Sequence, residues 1–151
     1  MATTYGYMMT WTTYGSWLQG DKRGSIKKGK LIGPCEGLEQ VNKDNQTGAT
    51  VRLNRMQKEK VRKAIIERSL KAGERLLAIS VHSNHVHVVL GCGGKKIGSV
   101  ASELKNSAYF ALKSEGHDGR VWTRGYDVRF CFDEKHLKAV IEYVKRHGEE
   151  N

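Results

Sequence analysis

Residues Ala78–Gly94 read AISVHSNHVHVVLGCGG, and how this stretch folds decides the architecture of the chain. The run ERLLAISV that ends at Val81 and the run HVHVVLGC that begins at His85 carry the β-branched and aliphatic residues of strands. Between them HSN (residues 82–84) reads as a tight turn, so the stretch predicts a hairpin. Side chains two apart on a strand share a face, so His85 and His87 point one way while Val86 and Val88 point the other. Two imidazoles side by side can hold a divalent metal through one ring nitrogen each. A hydrogen-bonded or solvent-facing structural pair explains the same spacing, and periodicity alone does not choose between them. His82 lies in the turn, separated from the pair by the bend, and is set apart as a turn residue.

Working outward, Tyr5 to Trp17 is rich in Thr, Tyr and Trp, which suits a strand. Residues 19–54 form a long polar loop insertion full of Gly, Lys, Asn and Asp, a length that implies function or mobility. Leu53, Met56, Val61, Ile65 and Leu70 then recur near helical spacing, with Asn54 as a cap and Gly73 at the end. Beyond the hairpin, Val100, Leu104, Ala108 and Leu112 make one helical stripe. YDVRFCF (126–132) is a short strand, and DEKHLKAVIEYVKRHG (133–148) a helix with Asp133 as N-cap and Gly148 after its last turn. The order β, long loop, α, β, β, α, β, α predicts a single α+β domain over residues 1–151. Its expected form is a ferredoxin-like, RRM-like antiparallel sheet with helices on one face.

The chain has 151 residues with 26 Lys+Arg against 16 Asp+Glu, a formal charge of +10. Such a surplus favours a polyanionic partner, nucleic acid before an acidic membrane, although solubility alone also accounts for it. Cys35, Cys92 and Cys131 are widely spaced and odd in number, which argues against a disulfide framework or zinc ribbon and fits a reducing cytoplasm. The start MATTYGYMMTWTTYGSW lacks the basic, unbroken apolar pattern of a signal peptide, and no window has the length of a membrane span. A soluble cytoplasmic protein is expected.

In the last helix Tyr143 and His147 are four apart, hence on one face, one turn from each other. One reading makes Tyr143 a core aromatic and His147 a residue that complements the helix dipole. The other makes His147 the third ligand of a metal held by His85 and His87, with the Tyr143 phenol aimed at whatever the metal binds. A phenol ionises near a pKa of about 10. It can attack phosphorus when a metal polarises the phosphate, leaving a covalent phosphotyrosine.

At these residues the chain resembles a known family. HSNHVHVVL (82–90) resembles the His-hydrophobic-His (HUH) motif of the HUH single-strand DNA endonucleases, with Ser83 where family members often carry Pro. WTRGYDVRFCFDEKHLKAVIEYVKRH (122–147) is similar to the segment that leads into the nucleophile helix of single-tyrosine transposases. TWTTYGSWLQGDKRGS (10–25) resembles the N-terminal strand and loop of one branch of them. The resemblance runs from Thr3 to His147, and its branch is an insertion-sequence or REP-associated tyrosine transposase. It implies a prokaryotic, nucleoid-associated, metal-dependent endonuclease and strand transferase acting on single-stranded or hairpin DNA, often as a homodimer. It further implies the HUH motif on a central strand, Tyr143 on the C-terminal helix as nucleophile, His85 and His87 as metal ligands, and Mg²⁺ or Mn²⁺ as cofactor. His147 falls where insertion-sequence members carry a glutamine ligand.

Nicking one strand requires a basic track for the backbone and aromatic surfaces for splayed bases. The candidate track is Lys22, Arg23, Lys27, Lys28, Lys95, Lys96, Lys105, Arg120 and Arg124. Gly91, Gly93 and Gly94 would let backbone approach phosphate, or form a plain turn. Trp11, Trp17 and Trp122 could stack on bases or fill the core. Two rivals stay open: a catalytically idle nucleic-acid-binding module with the same fold, and a hydrolase whose metal activates water.

Overall fold

The computed structural model describes residues 5–16, 25–27, 30–32, 50–117 and 119–149. Strands β1 (Gly6–Thr12), β4 (Leu76–Val81), β5 (His85–Gly91) and β6 (Asp127–Cys131) form one antiparallel sheet in the order β4-β5-β1-β6. Two short strands, β2 (Ser25–Lys27) and β3 (Lys30–Ile32), pair as a separate hairpin within the polar segment. The helices are α1 (Arg55–Lys71), α2 (Ile97–Ser114) and α3 (Glu134–Glu149). With β5 second in the sheet and flanked on both sides, its histidines sit on a strand that cannot shift without breaking two ladders.

Alternation along the strands divides the interior in two. Tyr7, Met9 and Trp11 of β1 and Val86, Val88 and Leu90 of β5 join Val61 and Ile65 of α1 and Val100, Leu104, Ala108 and Leu112 of α2 in the larger core. Complete burial of one such aliphatic side chain is worth about 1.5–3 kcal/mol. The opposite face of the sheet gives Met8, Ala78 and Val89 to a smaller core with Leu137, Val140, Ile141 and Val144 of α3. Helices therefore share one face only for α1 and α2; α3 takes the other. The cause is the apolar stripe of α3, which is complementary to the residues that β1, β4 and β5 turn away from α1 and α2. Gly6 allows the close approach, since a Cβ there would lie 2.9 Å from Leu137 Cδ1 and 2.7 Å from the Leu90 carbonyl oxygen.

Local chemistry sets the helix limits. Asn54 and Gln57 form a reciprocal capping box: Gln57 N–H donates to Asn54 Oδ1 at 2.8 Å and Asn54 N–H to Gln57 Oε1 at 2.9 Å. Gly73 follows α1 with a φ of 72°, a conformation that favours glycine. Asp133 caps α3, its Oδ1 accepting from His136 N–H at 2.6 Å. Two sequence expectations need correction. Met56 and Leu70 belong to the exposed side of α1, at 66% and 75% exposure, because the buried stripe runs through Val61, Ile65 and Ser69. Gly148 lies inside α3, where the helix continues to Glu149 and packs against β4 with Ser80 Cβ 3.4 Å from an added Cβ. Among the described residues no helix is long and apolar enough to cross a membrane.

Candidate metal centre and tyrosine

The hairpin β4–β5 builds most of the site. Its ladder pairs Ser80 with His87 and Val81 with Val86, and His82 N–H donates to the His85 carbonyl at 2.8 Å. Only Ser83 and Asn84 remain as the connection, so His82 stands directly across from His85 on the same face. Its ring stacks on that of His85 with centroids 4.3 Å apart and planes 15° apart. His82 is thus a buried member of the cluster, and its dismissal as a turn residue is corrected. A turn counted as two residues, 83–84, instead of three, 82–84, would have revealed it in the sequence.

The fourth imidazole comes from α3. Leu137 of α3 packs beside Gly6, which pairs with Gly91, so the helix begins at that end of the sheet. The ten residues from Leu137 to His147 rise about 15 Å. That carries His147 to the end of β5 where His85 and His87 lie, its ring centroid 4.9 Å from His82 and 5.9 Å from His87. One ligand atom from each of His82, His85, His87 and His147 lies within 4.8 Å of all the others. Among the described residues no carboxylate or thiolate belongs to this group.

Neighbouring groups orient the rings. His87 Nδ1 is 2.8 Å from Thr10 Oγ1, its partner across β1, in a buried contact. His85 Nδ1 is 2.7 Å from Asn84 Oδ1, which can only accept, so the ring proton sits on Nδ1 and the lone pair on Nε2. His82 Nε2 is 3.1 Å from Ser80 Oγ. Such contacts fix which nitrogen of a ligating histidine carries the lone pair. The donor set fits a divalent ion that accepts imidazole nitrogen, so the cluster could bind a metal.

Tyr143 borders this cluster. One turn before His147 on α3, its ring stacks on His147 with centroids 5.1 Å apart and planes 22° apart, and it lies 6.3 Å from the His87 ring. Half of its surface is open, 50% exposed, so a large substrate can reach the phenol. Other tyrosines lack this setting. Tyr7 is buried in the larger core, and desolvation pushes its phenol up to about 12. Tyr109 packs against that core, and Tyr126 lies just before β6.

The basic candidates separate by position. Arg120 and Arg124 flank a segment tied to the histidine end of the sheet: Tyr14 N–H donates to the Val121 carbonyl and Thr123 N–H to that of Thr12, which pairs with His85. Both arginines are exposed, and the Arg120 guanidinium lies 4.6 Å from the Tyr14 ring centre. Lys95 and Lys96 follow Gly91, at the opposite end of β5, about 20 Å from His85 along the strand. Lys95 also pairs with Glu74 and Glu103. Lys105 serves the fold, its ammonium donating to the carbonyls of Thr123 at 3.0 Å and Gly125 at 2.9 Å, and burial lowers its pKa. Gly93 and Gly94 lie with Lys95 and Lys96 at that opposite end. Trp11 and Trp122 are core residues in edge-to-face contact at 5.9 Å, and Trp122 Nε1–H donates to the Lys105 carbonyl. Trp17, Lys22, Arg23, Lys28 and the side chain of Lys27 lie outside the described residues.

The chain is similar to a REP-associated tyrosine transposase whose structure was solved bound to a REP hairpin: TM-score 0.58, 14% identity, covering 98% of this chain and 72% of that one. It is also similar to a protein of Deinococcus radiodurans R1 described as a transposase, with TM-score 0.52 and 14% identity, covering 97% of this chain and 92% of that one. At such identity the likeness is one of fold. No curated protein matches the chain. The family model of IS200-like transposases matches residues 49–147, which hold the hairpin histidines, Tyr143 and His147. By that match, the chain belongs to the IS200-like transposase family.

Proposed function

We propose that this protein is a metal-dependent single-strand DNA endonuclease and strand transferase that works through a covalent 5′-phosphotyrosine, on DNA that carries a hairpin. The single observation that carries this reading is the exposed Tyr143 ring stacked on His147 at the border of the four-imidazole cluster. A metal-binding structural module has no need of a solvent-open phenol at that position. Membership of the transposase family and fold likeness to a hairpin-bound relative agree with it.

In this mechanism the side chains divide the work. A divalent ion held by the histidine cluster would polarise the scissile phosphate and offset the charge that builds on its oxygens. Tyr143 Oη attacks the phosphorus; the new P–Oη bond forms as the bond to the 3′ oxygen breaks. The phenolic proton is given up and the departing 3′ oxygen takes one, so a 3′-hydroxyl is released and no water is consumed. Because one phosphate ester replaces another, the 3′-hydroxyl of the same or a second strand can reverse the step and rejoin DNA. His147, under the Tyr143 ring, restricts the rotamers open to the phenol. Arg120 and Arg124 supply charge for the DNA backbone at the same end of the sheet.

The test is incubation of the chain, and of Tyr143→Phe, with labelled single-stranded DNA containing hairpins and Mn²⁺ or Zn²⁺. The expected result is an SDS-stable protein–DNA adduct with the wild type and none with the Tyr143→Phe variant. Cleavage that persists in that variant would assign the reaction to activated water instead. Tight binding with neither adduct nor cleavage over a range of hairpins and metals would make the protein a binding module.

A further inference from the structure

The HUH resemblance calls for two histidines from the hairpin, yet this hairpin brings three imidazoles to one face. His82 is 6% exposed, stacked on His85 and 5.8 Å from His87 between ring centres. Its side chain is held from behind by Ser80 Oγ; when that oxygen accepts from Nε2–H, the lone pair of the ring sits on Nδ1. Its ligand atom is as close to those of His85, His87 and His147 as theirs are to one another, within the common 4.8 Å limit. We propose that His82 is a fourth metal ligand, and that this centre selects a nitrogen-preferring transition ion of the Zn²⁺ or Co²⁺ type over Mg²⁺. The inference rests on the metal-dependent reading of the site, and extends it to a residue and an ion class.

Donor chemistry carries the selection. Mg²⁺ demands near-octahedral oxygen ligands and keeps several waters, and it is bound through carboxylates and phosphates. Imidazole suits zinc, copper, iron and nickel, with affinity rising along the series from Mn²⁺ toward Cu²⁺. Four nitrogens with no carboxylate in the group are a poor match for Mg²⁺ and a weak one for Mn²⁺. Four neutral ligands also leave both positive charges of the ion uncancelled, which attracts an anionic phosphodiester. The hairpin geometry adds specificity: the three rings of His82, His85 and His87 are mounted on a two-residue connection and two hydrogen-bonded strands, so their spacing is fixed before metal arrives.

Metal binding to the stripped full-length chain tests this without reference to DNA. Titration with Co²⁺ is expected to give the intense visible absorption of a low-coordinate nitrogen site, unchanged by a large molar excess of Mg²⁺. With Zn²⁺, the ¹⁵N-imidazole spectrum of the wild type is expected to show ligation shifts for four histidines. His82→Ala is expected to lose at least about tenfold in Co²⁺ affinity, the scale on which even outer-shell changes act. Zinc shifts confined to three rings, with His82 unmoved, would overturn the proposal, and so would displacement of Co²⁺ by Mg²⁺ or an unaltered His82→Ala titration. The wild-type count of shifted rings decides the matter even if the variant fails to fold. Four-histidine binding with no DNA adduct would instead leave this inference standing and remove the transferase reading.

Discussion

At the scale of single residues, the centre depends on groups that do not themselves face a substrate. Thr10 is the clearest case. Its hydroxyl meets His87 Nδ1 at 2.8 Å inside a buried contact, and when that oxygen accepts from Nδ1–H the lone pair sits on Nε2. Thr10→Val keeps the shape of the side chain and removes that oxygen. The expected outcome is a metal affinity about 10–100-fold weaker by isothermal titration, with thermal unfolding nearly unchanged. Unchanged affinity would show that the Thr10 hydroxyl does not set the orientation of His87. No sequence pattern pointed to Thr10, because its role arises only from the pairing of β1 with β5.

At the scale of elements, the site is the meeting of one hairpin with one helix end, and the approach of α3 is what brings them together. Gly6 is the contact that permits it, with the Leu90 carbonyl and Leu137 both inside the space a Cβ would need. Gly6→Ala is therefore expected to cost about 1–3 kcal/mol, the range for overpacked interiors. It should also weaken metal binding, since the displaced helix carries His147. Chemical denaturation and metal titration of the same variant would check both effects. A variant as stable as wild type and equally tight for metal would mean that α3 docks by some other contact.

The elements were largely legible in the sequence, because the stripes of α1 and α2, the hairpin and the Asn54 and Asp133 caps are written in local periodicity and capping chemistry. The side of the sheet that α3 covers was not. It depends on which residues β1, β4 and β5 turn away from α1 and α2, a property of the assembled sheet. His82 was lost to a one-residue difference in turn length, and in a strand one residue changes the face. For Trp11 and Trp122 residue type leaves base stacking and the core both open, and packing places them in the core.

At the scale of the whole molecule, the formal charge is +10, and among the described basic candidates only some lie at the histidine end of the sheet. Arg120 and Arg124 lie at the histidine end of the sheet, whereas Lys95 and Lys96 lie at the other end and Lys105 braces the chain. Removal of a phosphate contact lowers the salt dependence of single-strand binding by about 0.7 in log–log slope. Arg120→Ala and Arg124→Ala are each expected to reduce the slope by that amount, while Lys95→Ala and Lys96→Ala leave it unaltered. Fluorescence anisotropy over a salt series measures it. Equal effects of all four changes would mean that DNA wraps the length of the sheet instead of entering at the histidines.

The central claim is that the phenol of Tyr143 becomes bonded to DNA beside the histidine cluster. Mass spectrometry of a tryptic digest of the protein after reaction with hairpin-bearing single-stranded DNA tests it directly. The account predicts a nucleotide phosphate attached to the peptide 139–145, at Tyr143, and no such species when the metal is removed by chelation. Attachment at any other tyrosine, or cleaved DNA with every tyrosine unmodified, would contradict it.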